Sequence, residues 1–346
     1  MPRGREARVG PRASTRPALL TAVVVAVVVA VVVAVAVVVV ARRDDGQPSL
    51  QSSASSPSLP SSQPSSSVDG SNPFRTGRTL VIPHGGGDGL FPENTLVAYR
   101  ETMAMGADVI DVDLRITADG VVIAFHDPTV DRITGATGNV KQMTYAQLAA
   151  LDAGWGFTSS GTGGDPAGSH PYRRQGVQIP TLESILDEFP TTLLSVDLKD
   201  ESLDMVQPVC DELRSRERLN DVFVGSNSDP QILEFRRRCP DVRTSAIMND
   251  VYAARDARAS GDTDFVPAVT VDQPPFRIEG RQLVDADTLA WSHKHGIAIL
   301  TWVVNDEADM QKLIDLGVDG IYTSYPERLL RLLGRCVNDC DGFSSG

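Results

Sequence analysis

Short β-branched runs alternate with helix-like runs from residue 79 to residue 324, and few folds accept that pattern over such a distance. Thr79–His84, Val109–Ile116, Val121–His126, Leu193–Lys199, Val222–Gly225, Arg243–Met248, Ala268–Val271, Ile297–Val303 and Gly320–Ser324 each read as strands. Helix candidates lie between them: Asn94–Met105, capped by Asn94 or Thr95, a short helix with Thr144 and Gln147 as capping box, Met205–Arg216, and one opened by Pro230. Met105-Gly106, His295-Gly296 and Leu316-Gly317 each put a glycine after a helix with a strand just beyond. Glycine there takes the left-handed conformation that ends a helix. Repeated strand–helix units specify parallel strands with helices outside. A prior of about 150 residues per domain divides 346 residues into two. Nine strands, however, is one more than a (β/α)8 TIM barrel needs, and ~250 residues suffice for one such barrel. The expected fold is therefore α/β, a single barrel over residues 78–335 with one strand peripheral.

The net charge of −13 conceals an asymmetry. Residues 1–43 carry seven Arg and one acid, +6, which leaves −19 for residues 44–346. An acidic body excludes a nucleic-acid partner, which needs clustered Lys and Arg. Residues 18–41 contain 14 Val and no charge, Pro or Gly. At ~1.5 Å per residue, a helix of that length crosses a ~30 Å hydrocarbon core. Residues 1–17 hold five of the Arg, so the positive-inside rule makes them a cytoplasmic tail, the helix a signal anchor and the body extracytoplasmic. Residues 42–77 read as a Ser/Pro-rich disordered linker, and 336–346 as a C-terminal tail. An oxidising compartment permits disulfides, with Cys210–Cys239 and Cys336–Cys340 the favoured pairing.

The strand pattern also localises chemistry. Alternation puts Asp111, Asp113 and Arg115 on one face of their strand, and Ser195, Asp197 and Lys199 on one face of theirs. His84 and His126-Asp127 end two other strands. Charged residues at the carboxyl ends of several strands mark the catalytic face of a barrel, and crowded carboxylates call for a divalent cation. Competing motifs fail. His84-Gly-Gly-Gly87 suggests an esterase oxyanion loop, but the chain has no G-x-S-x-G. Asp111-x-Asp113 lacks the glycine of a calcium loop, where Ile116 stands, and Gly85–Gly89 lacks dinucleotide spacing. His170, His293 and His295 are read as bystanders, and Trp155 and Phe157 as packing residues of a surface loop.

Six segments in order resemble the glycerophosphodiester phosphodiesterase family: His84–Thr95, Gly106–Asp113, Asp119-Gly120 with Phe125–Arg132, Val196–Lys199, Thr301–Asn305 and Gly317–Ser324. The resemblance implies a TIM barrel of the PLC-like phosphodiesterase type that hydrolyses small-molecule glycerophosphodiesters with one divalent cation, Ca²⁺ or Mg²⁺. It makes His84 and His126 the acid–base pair and Asp111, Asp113 and Asp197 the metal ligands. Lys199 would contact phosphate, Glu93 would brace the first loop, and Trp302 would line the glycerol or alcohol side. Gly85 stands where the family has Arg, so Arg115 or Arg132 is expected to supply the missing phosphate-binding charge. Asp111 and Asp197 replace the family's Glu. Two alternatives stay open: a lysophospholipase D-like activity on lipids, and a catalytically impaired binding module of the same fold. The oligomeric state is not specified.

Overall fold

A strand forms at or beside each of the nine expected places: β1 (Leu80–Pro83), β2 (Val109–Ile116), β3 (Val122–Ala124), β4 (Leu193–Leu198), β5 (Val222–Ser226), β6 (Arg243–Thr244), β7 (Val271–Asp272), β8 (Ala298–Thr301) and β9 (Gly320–Thr323). Of these, β6 is cut short before the helix Met248–Ser260, and β7 is moved toward the carboxyl end of Ala268–Val271. The computed structural model describes residues 72–335 apart from 159, 163–167 and 201. The expected tail, anchor, most of the linker and the Cys336–Cys340 pair lie outside the described residues. Among the described residues no helix is long and apolar enough to cross a membrane.

Eight of the strands run parallel. β2, β4, β5 and β6 pair in that order, as do β7, β8, β9 and β1. A bridge between Ser245 and Val271 joins β6 to β7. The Asp108 N–H donates to the Val81 carbonyl at 3.0 Å and joins β2 to β1, which closes the barrel. The peripheral strand is β3, antiparallel to the far half of β2. Only a tight turn separates the two, and a parallel pairing needs a crossover of a dozen residues or more.

Outside the barrel, Val112, Val196 and Val224 pack against Leu182, Ile185, Val209 and Phe235 of the surrounding helices. Inside, the amino-terminal half is apolar. Leu80, Val109 and Phe223 meet there, and Phe74 closes that end with its ring edge-on to Phe223 at 4.8 Å. Burying these aromatics supports the barrel by about 2–3 kcal/mol each. The first described residue, Asn72, donates to the carbonyls of Thr270 and Gly296, so the chain enters beside the amino ends of the strands. One step up, the alternation that buries Val112 outward turns Asp111 and Asp113 inward, so the polar layer sits at the carboxyl ends.

The glycine and capping expectations hold. Gly106, Gly296 and Gly317 have φ of 104°, 76° and 86°. Thr144 and Gln147 form a capping box, and Thr95 rather than Asn94 caps the helix Leu96–Met105. A disulfide joins Cys210 to Cys239, both fully buried, and ties together the helices Val206–Ser215 and Asp229–Arg238.

Candidate active site

Register brings the carboxylates together. Asp111 lies opposite Ser195, and Asp113 opposite Asp197, on adjacent parallel strands. The Lys199 ammonium stands 3.1 Å from Asp113 Oδ1 and 2.7 Å from Asp197 Oδ2. Burial opposes both charges. Lys199 nevertheless holds Asp113 below the usual carboxylate range, with His126 assisting, and the two carboxylates push Lys199 upward. Asp111 differs: burial and the neighbouring charge of Asp113 push it up to about 6. Its oxygens accept from the Ser195 hydroxyl at 2.8 Å and the Gly85 N–H at 3.0 Å.

His84 follows β1 directly, in a turn where Gly85, Gly86 and Gly87 all have positive φ. A Cβ at Gly86 would lie 2.9 Å from the Ala98 Cβ, so this turn must lack a side chain there. His84 Nδ1 lies 3.2 Å from Asp88 Oδ2. Burial disfavours its charge, but the Asp88 hydrogen bond and the fields of Asp111, Asp88 and Asp113 prevail and raise it to about 9. His126 lies just past β3, where the Phe125 N–H donates to the Asp113 carbonyl at 2.8 Å. Its Nδ1 lies 2.8 Å from Asp127 Oδ1, and this bond raises the imidazole.

Behind His126 stands a chain of charges. Arg132 donates to both oxygens of Asp127, at 2.7 and 2.9 Å, and to both of Glu93, at 2.9 and 2.6 Å. Glu93 therefore braces the first loop against the His126 loop. Arg132 has its guanidinium engaged by two carboxylates instead of facing a phosphate. Arg115 is also committed: it donates to the His126 carbonyl at 2.9 and 2.7 Å and to Asp200 at 2.8 Å. Neither arginine supplies the charge absent at Gly85 in this arrangement. Trp302 directly follows β8, 44% exposed, and donates Nε1–H to the Gln273 carbonyl at 2.6 Å.

Hard oxygen donors suit a divalent cation. Asp197 Oδ1 is buried without a hydrogen-bond partner, an acceptor left unpaired on the carboxylate that meets Lys199. Among the described residues no three metal-ligating side chains converge on one point as they stand. The reason is local: Lys199 draws in Asp113 and Asp197, while Ser195 and Gly85 hold Asp111.

Several participants escaped the sequence reading. Asn94, at φ 55°, donates Nδ2–H to Asp113 Oδ2 at 2.8 Å and accepts from the Asp113 N–H at 2.9 Å. Gln273 donates to the Tyr322 hydroxyl, which meets Ser195 at 2.9 Å and so supports Asp111 from behind. Asn94 and Tyr322 sat inside legible motifs, but only the fold shows what they touch. The bystander histidines are structural: His293 pairs with Asp319, His295 meets the Trp291 carbonyl, and His170 the Phe157 carbonyl. Phe157 packs edge-on against Tyr172, and Arg173 lies over Trp155 at 4.2 Å.

Residues 84–328 match the glycerophosphoryl diester phosphodiesterase family. The chain belongs to this family. A glycerophosphodiester phosphodiesterase of Bacillus subtilis is 28% identical over 261 residues, covering 72% of this chain and 85% of that protein. A lysophospholipase D of Rattus norvegicus is 25% identical, covering 73% and 85%. Among solved structures, a glycerophosphoryl diester phosphodiesterase from Silicibacter pomeroyi superposes with a TM-score of 0.61 at 26% identity, over 75% of this chain and 95% of that one. A phosphodiesterase of Oleispira antarctica, solved with sn-glycerol-3-phosphate, shares the fold with a TM-score of 0.59 at 19% identity, over 74% and 97%. The barrel of this phosphodiesterase-family chain is thus a TIM barrel by its own topology and by its neighbours.

Proposed function

We propose that the chain hydrolyses glycerophosphodiesters to glycerol 3-phosphate and an alcohol, by proton exchange at His84 and His126. The observation that carries this reading is the pair of imidazoles, each bound through Nδ1 to its own aspartate, beside the buried Asp111 and Asp113 and the half-buried Asp197 and Lys199. Family membership and the named relatives support it. One imidazole accepts the proton of the attacking hydroxyl, and the other delivers a proton to the leaving oxygen. Each transfer is worth about 10²–10⁴ in rate. Asp111, Asp113 and Asp197 would hold one Ca²⁺ or Mg²⁺. When bound, the ion supplies positive charge to the phosphate. Lys199 brings a second positive charge to the same place, and Trp302 offers a flat wall to the glycerol or alcohol.

The apolar side chains beyond the strand ends favour a second substrate class, lysophospholipids. Met248, Tyr252, Ile278, Leu283 and Trp302 are all exposed on segments that follow β6, β7 and β8. The buried Cys210–Cys239 disulfide supports an oxidising compartment, in keeping with anchoring through residues 18–41 and an extracytoplasmic barrel. Release of glycerol 3-phosphate from glycerophosphocholine and glycerophosphoethanolamine, and of lysophosphatidate and choline from lysophosphatidylcholine, tests the reading, with Mg²⁺ or Ca²⁺ and with chelator. Release that stops with chelator and returns with metal is expected. Release indifferent to chelator removes the metal from the account.

A further inference from the structure

The turn that carries His84 holds a carboxylate that the proton transfers above do not use. Gly87 and Asp88 both donate their N–H to the His84 carbonyl, at 2.8 and 3.1 Å. The chain thereby curls back within four residues and sets Asp88 Oδ2 3.2 Å from His84 Nδ1. Ser324, in the loop after β9, helps to hold the same carboxylate ionised. Three consecutive left-handed glycines make the curl possible, and the helix Leu96–Met105 packs against Gly86 and keeps it closed. An ionised carboxylate can only accept, so Nδ1 carries the proton in this contact and Nε2 is the free atom of the ring. Asp127 makes the same bond to His126, at 2.8 Å.

We propose that Asp88 is a positioning residue for His84: it fixes the Nδ1–H tautomer and the ring direction, so that Nε2 exchanges the proton with the substrate. The inference rests on the phosphodiesterase reading. It holds for either assignment of His84. As base, neutral His84 takes the hydroxyl proton on Nε2 and becomes an imidazolium still bonded to Asp88. As acid, the imidazolium gives its Nε2 proton to the leaving oxygen and returns to the same neutral tautomer. An amide at position 88 can instead donate N–H to Nδ1, which moves the ring proton to Nε2 and blocks it as acceptor.

The test uses the full chain with glycerophosphocholine and Mg²⁺ or Ca²⁺, comparing wild type, Asp88→Asn and Asp88→Glu. Asp88→Asn is expected to lose about 10²-fold in kcat with KM within about threefold. Asp88→Glu keeps a carboxylate that can reach Nδ1 and is expected to recover at least about a tenth of wild-type kcat. Equal kcat in wild type and Asp88→Asn overturns the inference, as does an equal loss in both variants. If Asp88→Asn does not fold, Asp88→Glu and Asp88→Ser decide: the inference predicts activity in the first and a loss of about 10²-fold in the second. An active wild type with an unaffected Asp88→Asn overturns this inference alone, whereas a wild type inactive on every diester overturns the functional reading with it.

Discussion

Replacing Arg132 by Met separates two tasks for that residue. A phosphate ligand could be removed with the fold intact and the substrate bound more weakly. A tie between Glu93 and Asp127 could not. The guanidinium makes two hydrogen bonds to each carboxylate, between 2.6 and 2.9 Å, and the side chains of Arg132 and Glu93 are 36% and 9% exposed. Breaking a buried pair costs about 3–5 kcal/mol, because one charge is left unpaired. Solvent around Arg132 lowers the expected loss to about 2–3 kcal/mol. In a domain of this size that lowers Tm by about 8 °C. Adding Glu93→Gln removes the stranded carboxylate, so the double variant should cost about as much as Arg132→Met alone, far less than the sum. Urea and thermal unfolding of the two single variants and the double supply the cycle. Kinetics supply the second arm: kcat falls about tenfold as the His126 loop loosens, and KM changes little. An Arg132→Met protein that unfolds like wild type and alters KM alone would refute the reasoning.

Other consequences follow from the same contacts. Removing the Cys210–Cys239 disulfide, whose sequence separation is 29, should cost about 3–4 kcal/mol by loop entropy, seen as a lower urea midpoint for Cys210→Ser with Cys239→Ser. Asn94→Ala deletes two bonds to Asp113 at a left-handed position and should destabilise by about 2–3 kcal/mol, while Asn94→Gly relieves only the backbone part. Burial pushes Asp272 up to about 6. The folded form then binds this proton more tightly than the unfolded chain, so the group's contribution is full below about pH 4 and is lost as pH rises through about 6. Asp272→Asn should therefore raise stability at pH 8 by at most about 3 kcal/mol and change nothing near pH 4, read from unfolding midpoints at both pH values.

The barrel was legible because its strands and glycine stops obey short-range rules. β2 shows how: alternation alone put Asp111 and Asp113 on one face and Val112 on the other, and the fold turns the first face inward and packs the second against helices. Which strand is peripheral was not legible, since it depends on how β3 turns back on β2 across five residues. At the site, strand ends gave His84, His126, Asp113, Asp197 and Lys199, but not their partners. Asp88 reaches His84 only because three glycines adopt positive φ. Arg115 and Arg132 looked available for phosphate because a sequence gives charge without direction. The carboxylates that occupy them, Asp200, Asp127 and Glu93, lie up to 85 residues away.

The central claim is that two imidazoles at the carboxyl ends of β1 and β3 exchange the protons of diester hydrolysis. Quantifying choline and glycerol 3-phosphate together, from glycerophosphocholine with Mg²⁺ or Ca²⁺, tests it most directly in wild type, His84→Ala and His126→Ala. The account predicts equimolar products from wild type and a loss of at least about 10²-fold in each variant, with unfolding midpoints near that of wild type. Wild-type rates in either alanine variant, or products other than this pair, would contradict it.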